Sequence, residues 1–189
     1  MSKLAMDPDD PALGGNIVGG DAATFHPALW SFLIERFAVD SVLDVGCGEG
    51  HCVRYFYEKG IPAFGFDGLK ANVDNAVFPI ALHDLRCGPF VMPVALAHCC
   101  EVVEHIEERY LNNVLQTLAN GRLIAMTHAL PGQGGYHHVN CQSSDYWIDR
   151  IEPLGFRYLP EVTQQGRAAI TASGSWTYFV KSGLIFQRV

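Results

Sequence analysis

The sequence predicts an α/β fold: a mostly parallel sheet covered by helices on both faces, with an antiparallel hairpin at one edge near the C-terminus. Three observations carry this. Short apolar runs alternate with longer amphipathic stretches along most of the chain, the pattern of parallel strands joined by crossover helices. The first run, residues 41–45, ends in a turn with glycine at every second position, Gly46, Gly48 and Gly50. The last two strand-like runs, residues 156–159 and 176–185, have only a polar, unassigned link between them, residues 160–175.

Composition narrows the class. A chain of 189 residues with 49% hydrophobic and 17% charged residues is sized for one domain with a real core. Residues 1–26 read as a flexible lead-in or lid and residues 27–189 as the domain. No apolar run approaches the roughly 18–20 residues of a membrane span. Residues 1–15 are acidic and proline-rich and do not read as a secretory leader, so a cytoplasmic protein is expected. Cys47, Cys52, Cys87, Cys99, Cys100 and Cys141 form no CxxC pair and are expected as reduced thiols. A net charge of −7 without a basic run argues against nucleic acid as partner.

The elements follow in order. His26 or Thr24 caps a helix with Pro27 in its first turn, and Trp30, Leu33, Ile34 and Phe37 give it one apolar face. After the glycine turn, residues 51–59 read as a helix stopped by Gly60 and Pro62. Strands are predicted over 63–66 and 78–82, with a weak helix over 69–76 between them. A fourth apolar run spans 94–100, a long helix is expected over 101–118, and a fifth strand over 123–127. Residues 131–140 form a polar, glycine-rich loop, and 144–154 another helix.

The glycine turn frees backbone N–H groups and admits a ligand without Cβ clashes. Its spacing is GxGxG, not the GxGxxG of dinucleotide sites. Asp44, two residues before the first glycine, is a poor neighbour for a pyrophosphate and suits a ligand bearing an ammonium and a sulfonium. Asp67 closes the second strand, where a carboxylate can accept both ribose hydroxyls. Asp84 closes the third, placed for an exocyclic adenine amine, with the Leu85 N–H facing a ring nitrogen.

These residues give the chain its resemblance to the class I S-adenosylmethionine-dependent methyltransferases, carried by VLDVGCGEG (42–50), GFD (65–67), HDL (83–85), CEVVEHI (100–106) and GLIF (183–186). The resemblance implies a Rossmann-like three-layer sandwich with a seven-stranded sheet whose last strand is antiparallel. It also implies an S-adenosylmethionine site at Asp44, Gly46, Cys47, Gly48, Asp67, Asp84, Leu85 and Cys100, with S-adenosylhomocysteine as product. Ala95, and Asn120 before Gly121, depart from the family pattern away from those residues.

The acceptor half is read from histidines. His128, His137 and His138 fall on or just after the fifth strand, and His105 near the end of the fourth. Methyl transfer to a hydroxyl needs a group that assists loss of its proton. The 131–143 loop is expected to act as an acceptor-binding lid, with His138 the first choice of base and His137, His128 and His105 the others. No metal is expected, since His137 and His138 are adjacent and diverge, and no carboxylate–amide cluster is evident. The expected activity is methyl transfer to a small-molecule or glycan acceptor, most simply at oxygen. An inactive S-adenosylmethionine-binding sensor or partner subunit is the alternative, and a dehydrogenase is disfavoured by the glycine spacing.

Overall fold

Four consecutive residues without a solvent-facing side, Val42–Val45 (β1), can only occupy the middle of a sheet covered on both faces. The computed structural model describes residues 13–14 and 17–189, and β1 lies at the centre of its seven-stranded sheet. β2 (Ala63–Asp67) pairs with β1 on one side and β4 (Val94–Cys99) on the other, both parallel. With β3 (Ala81–Leu82), β5 (Gly121–Met126), β6 (Phe156–Tyr158) and β7 (Leu184–Arg188), the order is β3-β2-β1-β4-β5-β7-β6. The chain runs outward from β1 to β3, then returns to start β4 on β1's other side. The strand order reverses there, so the carboxyl ends of β1 and β4 open a crevice.

Both faces are filled. One carries α1 (Pro27–Phe37), α2 (His51–Glu58), α6 (Pro160–Ala172) and α7 (Tyr178–Ser182), which bring Trp30, Phe56, Ile170 and Phe179 against the sheet. The other carries α4 (Leu111–Leu118) and α5 (Ser144–Ile151), packed through Val114, Leu118, Trp147 and Ile151. The short α3 (Lys70–Asp74) follows β2. This is the three-layer, Rossmann-like arrangement that the sequence predicts. No helix among the described residues is long and apolar enough to cross a membrane.

Four local expectations are corrected. The link over 160–175 is largely the helix α6, whose buried stripe is Thr163, Gly166 and Ile170, too small and polar to read as an apolar face. The strand composition over 176–185 resolves into α7 and the start of β7. The predicted antiparallel edge is present: β7 pairs antiparallel with both β5 and β6, with β6 at the edge and α6 and α7 connecting the pair. β3 is shorter than residues 78–82, since Pro79 has no N–H to give a ladder.

The fourth correction shapes the site. Residues 101–118 are not one helix. Single turns at Val103–His105 and Glu108–Tyr110 precede α4, with Ile106 extended between them. The carbonyl of Glu104, which a continuous helix would use, instead accepts the N–H groups of Val139 and Asn140 at 2.9 and 3.0 Å. Asn140 Nδ2 also donates to the Ile106 carbonyl at 3.2 Å. The helix is interrupted because the distant loop takes its acceptors.

Candidate active site

The glycine turn is built by β1 delivering the chain to an abrupt stop. Gly46 and Gly48 have φ of +66° and +56°, a region costly for other residues. They differ in surroundings. A Cβ on Gly46 would lie 2.5 Å from Val102 Cγ2, whereas one on Gly48 would meet no atom within 4 Å. Gly46 is therefore glycine for packing as well as for backbone. Gly48 turns an unobstructed backbone toward open space.

That space is a cavity of about 620 Å³ at the carboxyl ends of the central strands. Of the residues singled out in the sequence, it is lined by Asp44, Gly46, Cys47, Gly48, Asp67, Leu85, Cys100, His105 and His138. Asp84, His128 and His137 do not line it. The Asp84 carboxylate turns to Arg86, accepting its backbone N–H at 2.8 Å and pairing with its guanidinium at 2.6 Å. Burial pushes the Asp84 pKa up, but these Arg86 contacts outweigh it and hold the group below the ordinary 3.8. His128 is buried beside Trp147 and bonds Ser144 Oγ at 3.1 Å. His137 takes a left-handed φ of 50° within the loop.

Asp67 organises the end of the cavity beside the glycine turn. Its carboxylate accepts the N–H groups of Gly48 (2.9 Å) and Leu69 (2.8 Å) and the Asn72 amide (2.9 Å). Burial still raises its pKa, since it outweighs those bonds. The Asp44 carboxylate meets His98 Nδ1 at 2.6 Å from the neighbouring strand. Residues before α1 close over the same side: the Gly19 N–H donates to both oxygens of Glu49 at 3.1 Å, and Tyr178 donates to Asp21 at 3.2 Å. Burial first, and carboxylates nearby, push the thiols of Cys47, Cys52, Cys99 and Cys100 well above their usual range. They stay protonated and offer no thiolate nucleophile.

The far end is a corner that sequence reasoning saw only in part. His105 and His138 stand with ring centroids 4.9 Å apart, edge to face. His138 Nδ1 lies 3.2 Å from the Gln133 carbonyl, and Gln133 through Tyr136 bring the loop over the cavity. Burial, then the neighbouring His138, hold His105 down to about 4. Glu101 and Glu104 join the corner from the strand end, Glu101 with a left-handed φ of 53°. Glu101 Oε1 accepts from Thr127 Oγ1 at 2.8 Å. Burial raises both carboxyls, and each is electrostatically tied to the other. The sequence signal for this group was the spacing of Glu101, Glu104 and His105, which only gains meaning once the loop brings His138 across. Glu49 and His98 were also missed. Glu49 sits openly inside the glycine motif, whereas His98, on a buried strand, offers no periodic signal.

A parallel sheet reversing at a glycine turn, an acid at each of the first two strand ends and a last strand inserted antiparallel together define a class: the S-adenosylmethionine-dependent methyltransferase fold of class I. The chain belongs to the family described as "Methyltransferase domain", whose model matches residues 22–178. It is 28% identical over 98 residues to the ubiquinone biosynthesis O-methyltransferase of Rickettsia typhi, a match covering 46% of this chain and 40% of that protein. Among solved structures it resembles a SAM-dependent methyltransferase from Archaeoglobus fulgidus (16% identity, TM-score 0.57, 86% of this chain and 94% of that one). It also resembles the O-methyltransferase of a trans-AT PKS multienzyme of Brevibacillus brevis in complex with S-adenosyl-L-homocysteine (16%, 0.58, 86% and 72%).

Proposed function

We propose that the protein transfers the methyl group of S-adenosylmethionine to an oxygen of a small-molecule or sugar acceptor, with the histidine corner assisting loss of the hydroxyl proton. One observation carries this reading: a single cavity runs from the bare glycine backbone at Gly48 to the imidazoles of His105 and His138. S-adenosylmethionine, when bound, supplies a methyl group already activated on a sulfonium. Asp67 is the residue for the ribose hydroxyls, with the Leu85 and Cys100 backbones beside the nucleoside. Asp44, Gly46, Cys47 and Gly48 are for the amino-acid end. Asp84 is left out of this set because Arg86 occupies its carboxylate. His138 and His105 face the acceptor, and the 131–143 loop excludes water. His128 and His137, away from the cavity, support the loop and take no part in the proton transfer.

Titration calorimetry with S-adenosylhomocysteine is expected to show one site per chain. Asp67→Ala is expected to weaken it about 10–100-fold, the loss of charge-assisted hydrogen bonds worth roughly 1.5–3 kcal/mol. Labelled S-adenosylmethionine offered with a panel of hydroxylated metabolites and sugars then tests the transfer. No heat with S-adenosylhomocysteine, or label recovered on nitrogen or carbon, overturns the reading.

A further inference from the structure

A buried carboxylate normally has a donor. Glu104 is fully buried, lines the cavity, and neither of its side-chain oxygens has a hydrogen-bond partner. His105 Nδ1 is buried and unpartnered in the same corner. One ligand-capable atom from each of Glu104, His105 and His138 lies within 4.8 Å of the other two. We propose that Glu104, His105 and His138, with Glu101 beside them, bind a divalent transition-metal ion of the Mn²⁺ or Zn²⁺ kind.

The charge around the corner supports this. A buried carboxylate that ionises without a cation costs several kcal/mol. The adjoining side chain that interacts with Glu104 is Glu101, a second acid already held by Thr127, so without a cation burial and Glu101 favour the protonated Glu104 carboxyl. Lys181 donates to Gln133 Oε1 at 2.7 Å, and its charge acts on Glu101, not on Glu104. A cation satisfies carboxylates and imidazoles together, and two imidazoles with carboxylate oxygens suit a first-row transition ion better than Mg²⁺ or Ca²⁺. The ligands are also preset. Hydrogen bonds from Val139 and Asn140 to the Glu104 carbonyl lock the His138 loop to the Glu104–His105 turn. Asp44, Cys52 and His98 form a second grouping of ligand types, but Asp44 and His98 already satisfy each other at 2.6 Å.

What the ion does rests on the methyl-transfer reading; that it binds does not. The same residues line the cavity proposed for the acceptor, so the acceptor's hydroxyl oxygen would be able to join the coordination. The ion lowers the pKa of that hydroxyl, which gives its proton to water. The new O–CH₃ bond forms as the S–CH₃ bond breaks, the bonding pair passing to sulfur and neutralising the sulfonium. The ion keeps its oxidation state throughout. The histidines then assist through the ion, as ligands, instead of taking the proton themselves.

The test is titration of chelator-treated protein with Mn²⁺, followed by the paramagnetic resonance signal of the free ion, with Zn²⁺ as competitor. One saturable site per chain is expected, displaced by Zn²⁺. Glu104→Gln and His105→Asn are each expected to weaken it at least about tenfold, no less than the loss of a group supporting a ligand. S-adenosylhomocysteine affinity and melting temperature, measured on the same variants, show that the fold is retained. No saturable uptake of either ion, or uptake unchanged in both variants, overturns the proposal. Saturable Mn²⁺ uptake lost in these variants, but with no methyl transfer to any acceptor, upholds the ion site while the methyl-transfer reading fails.

Discussion

His26 shows how one side chain sets an acid limit on the fold. It is buried against Trp30, His98 and Phe179, with Nε2 3.1 Å from Cys100 Sγ. Burial, then the charge of His98, lower its pKa from 6.5 to about 3. Between those values the unfolded chain binds a proton that the native chain refuses. Stability is therefore whole above pH 6.5 and falls as pH drops toward 3, by at most about 1.4 kcal/mol per unit for this one group. His26→Phe removes the proton difference. Urea unfolding at pH 7 and pH 4.5 is expected to show the wild type losing about 2–3 kcal/mol more than the variant across that interval. Parallel losses in the two proteins would show that His26 does not carry the effect.

At the scale of the element, the glycine turn divides its two tasks between neighbouring glycines. Gly46→Ala combines left-handed strain with a clash against Val102, about 2–5 kcal/mol of stability in all. Gly48→Ala meets no protein atom and is expected to cost only the strain, about 1–2 kcal/mol. Its methyl, however, enters the proposed cofactor space, so its S-adenosylhomocysteine affinity falls out of proportion to its stability. Denaturant unfolding and calorimetry on the pair check this; equal affinity in Gly48→Ala and wild type would remove the turn from the binding site. The turn was legible in the sequence because local backbone chemistry writes it there, and Asp44 and Asp67 were legible because they sit at strand ends. The Glu104 corner was not. A carboxylate's burial and lack of a donor are tertiary facts, and the break in residues 101–118 that exposes them to the cavity is caused by a loop more than thirty residues later. The direction in which Asp84 turns was not legible either: its partner Arg86 is local, but nothing in the spacing says which way the pair turns.

Across the whole molecule, the alternation of strands and helices was readable because buried parallel strands are apolar on both faces, as β1 and β4 are. The element that escaped, α6, ties the layers together without an apolar stripe. Thr163 Oγ1 accepts the N–H of Ile185 at 3.1 Å, joining α6 to β7. Gly166 lets the helix press on α1, and a Cβ there would stand 2.9 Å from Leu29 Cδ1 and 3.5 Å from Ile185 and Phe179. α1 in turn carries Trp30 to the cavity wall, so the fit of α6 bears on the site from the outer layer. Gly166→Leu gains helix propensity but overfills this contact, for a net loss of about 1–3 kcal/mol. For a domain this size, that lowers the melting temperature by roughly 2–12 °C. S-adenosylhomocysteine affinity is expected to fall with it as α1 is displaced. Gln165→Leu, one position away on the exposed face, should stay within about 0.5 kcal/mol of wild type and bind normally. Scanning calorimetry of both variants with and without S-adenosylhomocysteine measures the two effects together. Equal melting temperatures for the two would mean that the α1–α6 contact yields without cost and that the outer layer does not set the shape of the cavity.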